Sequence, residues 1–452
     1  MRNEEGNGQP GDPLRDLPAS SGLAGGIPAL ADAAEASAAV DARMPRTLPP
    51  IFRAFRSESF FYFWSGNFLS NIGTWMQNLA QGWLILQLTN SSFWLGFVGF
   101  IAAIPYLWFT LYGGVIADRT NKRVLLLCTQ TSMMVFAFTL AGLAYFKIIT
   151  ITELAVLSFL NGVASALNAP IYQAIVPSLV KREDLPNAIA LNTVQFNLAR
   201  ILGPTLGGYA VAFIGVAGNF FLNGLSFFAV IFAVARIEHV PDVKQQSRIS
   251  TIRSLRRGFR YVRSIPEMNG IVWMVASISL LLMPFITFIP FFARNVLHAG
   301  EKGLGFMMAC SGTGALISAL LVAHYSAQGK IRHRGRILFC CILAVMAGLL
   351  IFCATRSFAV ASSLMFLEGF GMIASVALLN MSMQQLSNDE MRGRVMGIYT
   401  TAFLGLPPLG SLIAAELSLH MTTPHAISLM TLCAMGCFIT VFASSRALRE
   451  FN

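Results

Sequence analysis

Residues 113–123 read GGVIADRTNKR. They include the end of one long apolar stretch, 92–117, and lead to the start of the next, 124–146. A membrane-spanning helix needs about 20 mostly apolar residues, and both stretches are long enough. The two glycines that open the segment allow close approach of a neighbouring helix, and the charged residues after them are costly in hydrocarbon. The segment therefore predicts a tight polar turn between two transmembrane helices.

The rest of the chain repeats this pattern of apolar stretches and short polar turns. Of its 452 residues, 55% are apolar and only 12% are charged, about half of the ~25% that is usual in soluble domains. A soluble chain of this composition would expose more apolar surface than water tolerates. The sequence therefore predicts an all-α membrane protein. The twelve approximate spans are 59–88, 92–117, 124–146, 151–176, 187–213, 216–236, 268–294, 303–326, 336–355, 358–383, 393–418 and 425–445.

The basic residues predict which way the helices run. Of the 32 Lys and Arg residues, 27 fall on one side of the predicted spans and four on the other, while Arg200 lies within a span. Cytoplasmic segments are enriched in Lys and Arg, so both termini are expected in the cytoplasm. A net charge of +11 suits contact with anionic lipid head groups, and with the charge placed between membrane spans no nucleic-acid partner is expected.

Composition divides the chain into four segments. Residues 1–50 are rich in Gly, Pro, Ala and acidic residues, which predicts a disordered cytoplasmic tail. Residues 51–236 and 268–452 each hold six predicted helices, and 237–267 forms the linker between them. Within the linker, the basic and apolar pattern of 250–263 predicts an amphipathic helix on the cytoplasmic membrane surface, with a calmodulin-target-like helix as the alternative.

The two halves contain an internal repeat. Residues 160–191 begin LNG, and residues 367–397 begin LEG; both pass an amide-rich end, carry an acidic pair and enter another helix. Repeated halves of this kind are the building blocks of two-lobed transporters.

The turn at residues 113–123 resembles the loop signature of the major facilitator superfamily. The resemblance implies twelve helices in two pseudo-symmetric six-helix lobes. It also implies a conformational lock, in which Asp118 pairs with a basic residue and favours a helix N-terminus. The corresponding turn of the second half, 328–336, lacks the acidic residue. An ordinary basic loop is the alternative. The lock residues are Gly114, Asp118, Arg119 and Arg123.

Residues 199–208, ARILGPTLGG, resemble the antiporter signature of the same superfamily, with its core G-P-x-x-G-G. Gly and Pro in a membrane helix permit a kink and close packing. The resemblance implies export rather than import, and a packing kink without directional meaning is the alternative. The residues of this antiporter-type kink are Arg200, Gly203, Pro204, Gly207 and Gly208.

Residues 71–84, 168–173 and 185–191 resemble a drug and siderophore efflux branch that includes enterobactin exporters and macrolide efflux proteins. This resemblance covers about 55–445. It implies a monomeric transporter of the bacterial inner membrane that exports a drug, a siderophore or a similar amphipathic metabolite. Proton antiport with alternating access would drive it.

Charged side chains inside the predicted spans are few, and each is costly. Glu368 lies near the middle of span ten, Arg200 lies at similar depth in span five, and Asn161 is the repeat equivalent of Glu368. A carboxylate at this depth can carry a proton or pair with substrate, and a structural contact between helices is the alternative. Three residues of the first span are candidates to line a cavity for a large, partly apolar solute: Gln77, Gln81 and Trp83.

Other activities have no support in the sequence. It contains no G-x-x-x-x-G-K-[ST] motif for an ATP-driven pump, and its seven cysteines and six histidines show no zinc-type spacing. Neither an enzyme activity, a metal nor a cofactor is expected. A non-transporting membrane sensor or scaffold on the same fold is the alternative to a transporter, and solute flux distinguishes the two.

Overall fold

The structure is a computed structural model that describes residues 50–119, 121–236, 252–328 and 334–444. Within those ranges, the side chains of 50–51, 107–119, 252–255, 327, 334 and 444 lie outside the description. The predicted tail, apart from Pro50, and the first part of the linker fall outside the described residues, so both remain predictions. In the described part of the chain nearly every residue is helical and none is in a strand.

Twelve long helices run through the described residues, and their bounds agree with the predicted spans to within a few residues. They are α1 (Glu58–Thr89), α2 (Ser92–Arg119), α3 (Lys122–Tyr145), α4 (Ile151–Leu179), α5 (185–214), α6 (216–236), α7 (Pro266–Val296), α8 (Gly300–Ala327), α9 (Arg334–Ala354), α10 (Phe358–Leu386), α11 (Asp389–His420) and α12 (Thr423–Ser444). A thirteenth, the linker helix, spans Ile252–Ser264.

Helices α5 and α6 are two arms of one continuous helical segment, Leu185–Arg236, that breaks at Gly215 with a φ of 72°. The Asn219 side-chain amide donates to the Gly207 carbonyl at 3.2 Å. In a straight helix these residues would lie about 18 Å apart, so the chain turns back at Gly215. Among the described residues nine helices are long and apolar enough to cross a membrane. This segment is counted once among them, α1 is not among them, and α2 contributes only a shorter apolar helix, Ser92–Tyr106.

The turns at one end of the bundle use left-handed backbone conformations. All described residues with positive φ lie there: Asn90, Lys147, Gly215, His298 and Gly300. Such residues reverse the chain within very few positions, which keeps consecutive helices antiparallel. We call this the far end, and we call the opposite end, where the linker helix lies, the linker end.

Close glycine contacts repeat in the two halves of the chain. Gly162 of α4 packs against the carbonyl of Ala102 in α2, and Gly369 of α10 packs against the carbonyl of Ser311 in α8. The same helix pair therefore meets through the same repeat position in each half. Small residues let membrane helices approach to backbone contact, and here that contact follows the internal repeat seen in the sequence.

The halves meet through two further helix pairs. Gly96 of α2 packs against Ser411 and Ala415 of α11, while Gly208 of α5 packs against Gly305 of α8. These contacts lie in the half of each helix nearer the far end. These contacts agree with the all-α membrane fold that the sequence predicts.

The linker helix lies within the segment that the sequence predicts as an amphipathic helix, and it packs partly on the protein. Gly258 lies against Arg394 and Ile398 at the start of α11, and Val262 is buried. Phe259, on the predicted apolar face, is 57% exposed. One part of that face therefore packs on the second half of the bundle, and Phe259 remains available to a membrane surface.

Candidate functional site

Glu368 lies between α8 and α10 and is only 4% exposed. Its Oε2 accepts a hydrogen bond from the Ser311 hydroxyl of α8 at 2.8 Å. The two helices approach closely because glycines replace larger residues on both sides; a Cβ on Gly314 would lie 3.0 Å from the Phe370 nitrogen. This packing keeps the carboxyl group away from lipid and gives it one fixed donor.

Arg200 is the charged neighbour of Glu368 from the other half of the chain. It is half-buried on α5, and its backbone contacts Gly312 of α8, the residue that follows the Ser311 donor to Glu368. Helix α5 reaches α8 here because Gly312 allows it; a Cβ at that position would lie 3.2 Å from the Arg200 carbonyl. The structure thus brings together the two mid-membrane charges that the sequence singles out.

The position of the first half that is equivalent to Glu368 carries a neutral side chain. Asn161 stands at the repeat position of Glu368 and is half-buried on α4, beside Gly162. The helix that faces it carries Ala102 where α8 carries Ser311. The carboxyl–hydroxyl pair therefore exists on one side of the pseudo-symmetric bundle only.

The residues of the antiporter-type kink form a packing surface shared by three helices. Gly203 and Gly207 face α1, where an added Cβ would lie 2.9 Å from the Ile72 carbonyl oxygen and 3.0 Å from the Met76 Cα. Gly208 faces α8. The backbone around Pro204 stays helical, since Gly215 is the non-helical position of Leu185–Arg236. The motif therefore acts here through close contact of α5 with α1 and α8.

The conformational lock is described only in part. Gly114, Asp118 and Arg119 lie at the end of α2, but their side chains are outside the description, so their pairing remains a prediction. Arg123 donates from Nη2 to the Ala235 carbonyl at 2.6 Å. That bond joins the start of α3 to the end of α6 at the linker end.

The candidates on α1 have partners in neighbouring helices. Gln77 is buried, and its Oε1 accepts a hydrogen bond from the Asn223 amide of α6 at 2.7 Å. Gln81 donates to the Ser158 hydroxyl of α4 at 2.9 Å. These bonds hold the first half together. Asn223 and Ser158 were not singled out from the sequence, although polar residues inside a predicted span are the signal that could have found them.

Trp83 faces the other half of the chain. It is buried, and the Arg294 guanidinium of α7 lies 5.8 Å from its ring centroid. The structure therefore separates the three α1 candidates, with the two glutamines inside the first half and Trp83 at the junction.

Polar contacts seal the junction at the far end. Thr423 of α12 donates to the Ser92 hydroxyl of α2 at 2.8 Å, although the residues are 331 positions apart. The Asn295 amide of α7 donates to Asn90 at 3.3 Å. Together with the glycine contacts of α5 and α8, these bonds close the far end.

The linker end contains a cavity of about 660 Å³. It lies beside the last turns of α10 and the start of α11. Its polar lining residues are Asn380, Gln384, Gln385 and Arg392, with Met381 among the apolar ones. The Gln384 amide donates to Asn380 Oδ1 at 2.6 Å. All of the residues that line the cavity belong to α10 and α11, so it is an open groove on the second half of the bundle at the linker end.

Comparison with known proteins identifies the family to which this chain belongs. The family model described as transmembrane secretion effector matches residues 50–451. The chain belongs to this family. Its relatives and structural neighbours are major facilitator transporters rather than enzymes, and the chain is an integral membrane transporter.

Two relatives are named as transporters of siderophores. The enterobactin exporter EntS of Escherichia coli is 25% identical over 368 residues, which are 78% of this chain and 84% of that protein. The staphyloferrin A transporter of Staphylococcus aureus is 25% identical over 264 residues, which are 58% of this chain and 66%, just under two thirds, of that protein.

A solved structure confirms the fold. The nucleoside transporter NupG has a TM-score of 0.64 at 14% identity, and the match covers 87% of this chain and all of NupG. At this identity the likeness concerns the fold alone.

Proposed function

We propose that the protein exports a siderophore or a chemically similar amphipathic metabolite from the cytoplasm of a bacterium, by proton antiport. The contacts between the two halves at the far end and the open groove at the linker end support this proposal, since an exporter takes up its substrate from the cytoplasmic side. The Lys and Arg bias supports a cytoplasmic position for the linker end.

The substrate class follows from the relatives and from the cavity. The names of two relatives refer to enterobactin and staphyloferrin A. Siderophores present many oxygen acceptors, and the cavity is lined by the amides of Asn380 and Gln384 and by the guanidinium of Arg392. Arg392 also pairs with Asp389 at 2.8 Å, so an anionic substrate would compete with that carboxylate.

Coupling to protons is assigned to Glu368. A carboxyl group enclosed between membrane helices is costly when ionised, and a proton or a nearby cation relieves that cost. Arg200 belongs to α5 and Glu368 to α10, so a rocking motion of the halves changes their separation and hence the stability of the ionised form. The carboxyl group would then bind a proton in one state and release it in the other.

Inside-out membrane vesicles test this proposal. Iron-free enterobactin and staphyloferrin A are the probes, and an imposed proton gradient is the driving force. Uphill uptake that a protonophore abolishes is the expected result. Absence of uptake for both probes, with the protein present and folded, would contradict the siderophore class. If the vesicles took up no solute from a wider panel of compounds, a sensor or scaffold would be favoured over a transporter.

Two variants separate coupling from binding. Glu368→Gln is expected to remove gradient-driven uptake and to keep probe binding, because the amide is nearly isosteric but cannot exchange a proton. Glu416→Gln is the matched control, since Glu416 is 62% exposed at the far end and pairs with His420 at 3.5 Å. Uphill uptake by Glu368→Gln would make Glu368 a packing residue.

A further inference from the structure

A second cavity, of about 470 Å³, lies at the far end, where α5 meets the turn between α7 and α8 and the start of α10. We call it the far-end groove. Its walls come from both halves of the chain. The side chains that line the far-end groove include Tyr209, Leu297, His298, Lys302, Phe306 and Phe358.

Lys302 gives the far-end groove a positive charge. His298 also lines the groove, and no acidic side chain does so among the described residues. The Lys302 ammonium lies 4.5 Å from the Phe213 ring centroid and 5.7 Å from that of Tyr209. These aromatic contacts hold the lysine in place, and a ring face leaves its charge free to attract an anion. Within the described ranges Lys302 forms no salt bridge.

The aromatic residues around Lys302 place the groove at the membrane surface. Phe213 is 72% exposed, Phe306 is 54% exposed and Tyr209 is 50% exposed. Exposed rings beside a lysine at the end of a membrane helix are typical of the lipid–water interface. A small soluble anion would satisfy the lysine and leave the three rings uncovered, whereas a phospholipid would cover both kinds of surface.

We propose that the far-end groove binds the head group of an anionic phospholipid and that this lipid stabilises the state with the far end closed. Tyr209 and Phe213 belong to α5 and Lys302 belongs to α8, so the site is complete only while Gly208 and Gly305 are in contact. A ligand that binds one of two states shifts the population toward that state. The lipid would thus favour the loading state of the transporter.

The experiment compares the protein in phosphatidylcholine vesicles with and without phosphatidylglycerol. The distance between spin labels at positions 145 and 356 reports opening of the far end, because Tyr145 and Arg356 are exposed in far-end turns of the two halves. We expect phosphatidylglycerol to raise the closed-to-open ratio about fivefold, the effect of one lysine near an anionic surface. Lys302→Gln should lose this response and Lys302→Arg should keep it.

Native mass spectrometry of the same variants measures lipid binding without reference to transport. Wild type and Lys302→Arg should retain one phosphatidylglycerol that Lys302→Gln loses. Lys147→Gln is the matched control, since Lys147 is another exposed far-end lysine and does not line the groove. Equal retention by Lys302→Gln and wild type would overturn the proposal. An equal loss of phosphatidylglycerol in Lys147→Gln would also overturn it. The same holds if inorganic phosphate alone raised the closed-to-open ratio as much as phosphatidylglycerol does.

Discussion

Replacing Gly208 with alanine tests whether the α5–α8 contact closes the far end. The added Cβ would lie 2.6 Å from the Glu301 carbonyl oxygen and 3.1 Å from the Gly305 Cα. Ordinary contact begins at 3.4 Å, so the two helices must separate by about 0.8 Å along the shorter direction. Both nearby atoms belong to backbone, so no side-chain rotation relieves the clash.

The added Cβ destabilises only the state in which the far end is closed. Overpacking of this kind costs about 1–3 kcal/mol, and it disappears when α5 and α8 part at the far end. The higher helix propensity of alanine applies equally to both states and cancels. The closed-to-open ratio should therefore fall by about 5- to 150-fold.

The spin-label pair at positions 145 and 356 measures this ratio as the fraction of long distances. Gly142→Ala is the control, because a Cβ on Gly142 in α3 has no atom within 4 Å. Gly305→Ala should reproduce the effect, since its Cβ would lie 2.6 Å from the Pro204 carbonyl oxygen. Identical distance distributions for Gly208→Ala, Gly305→Ala and Gly142→Ala would refute the assignment of this contact as the far-end seal.

Three further predictions concern other parts of the bundle. Asp118→Asn should reduce transport at unchanged expression, because the sequence places this carboxylate in the lock; wild-type flux would remove it from the mechanism. Asn223→Ala should destabilise the protein by about 1–3 kcal/mol, since it leaves the buried Gln77 carbonyl without its donor; an unchanged thermal midpoint contradicts this. Cysteine at Ala299 should react with an impermeant reagent from outside intact cells, and labelling only from the cytoplasm would reverse the topology.

The lock and the mid-membrane charges differ in how far the sequence could predict them. Arg200 and Glu368 stand out because an ionisable residue inside an apolar run is rare, and the structure places both beside the Ser311–Gly312 segment of α8. Ser311, the hydrogen-bond donor to Glu368, could not be chosen from the sequence. Serine is ordinary in a membrane helix, and its importance comes from the side chain it meets.

The sequence by itself determined the spans, the break near Gly215, the linker helix and the family. Each of these depends on residues that are close along the chain, because crossing a membrane requires about 20 apolar residues in a row and a turn requires a few special ones. Only the tertiary structure decided which end is closed. Ser92 meets Thr423 across 331 positions, and Gly208 meets Gly305 across the two halves. Lipid is as apolar as the helix surfaces, so hydrophobicity does not select these pairs; shape and hydrogen bonding between distant segments do.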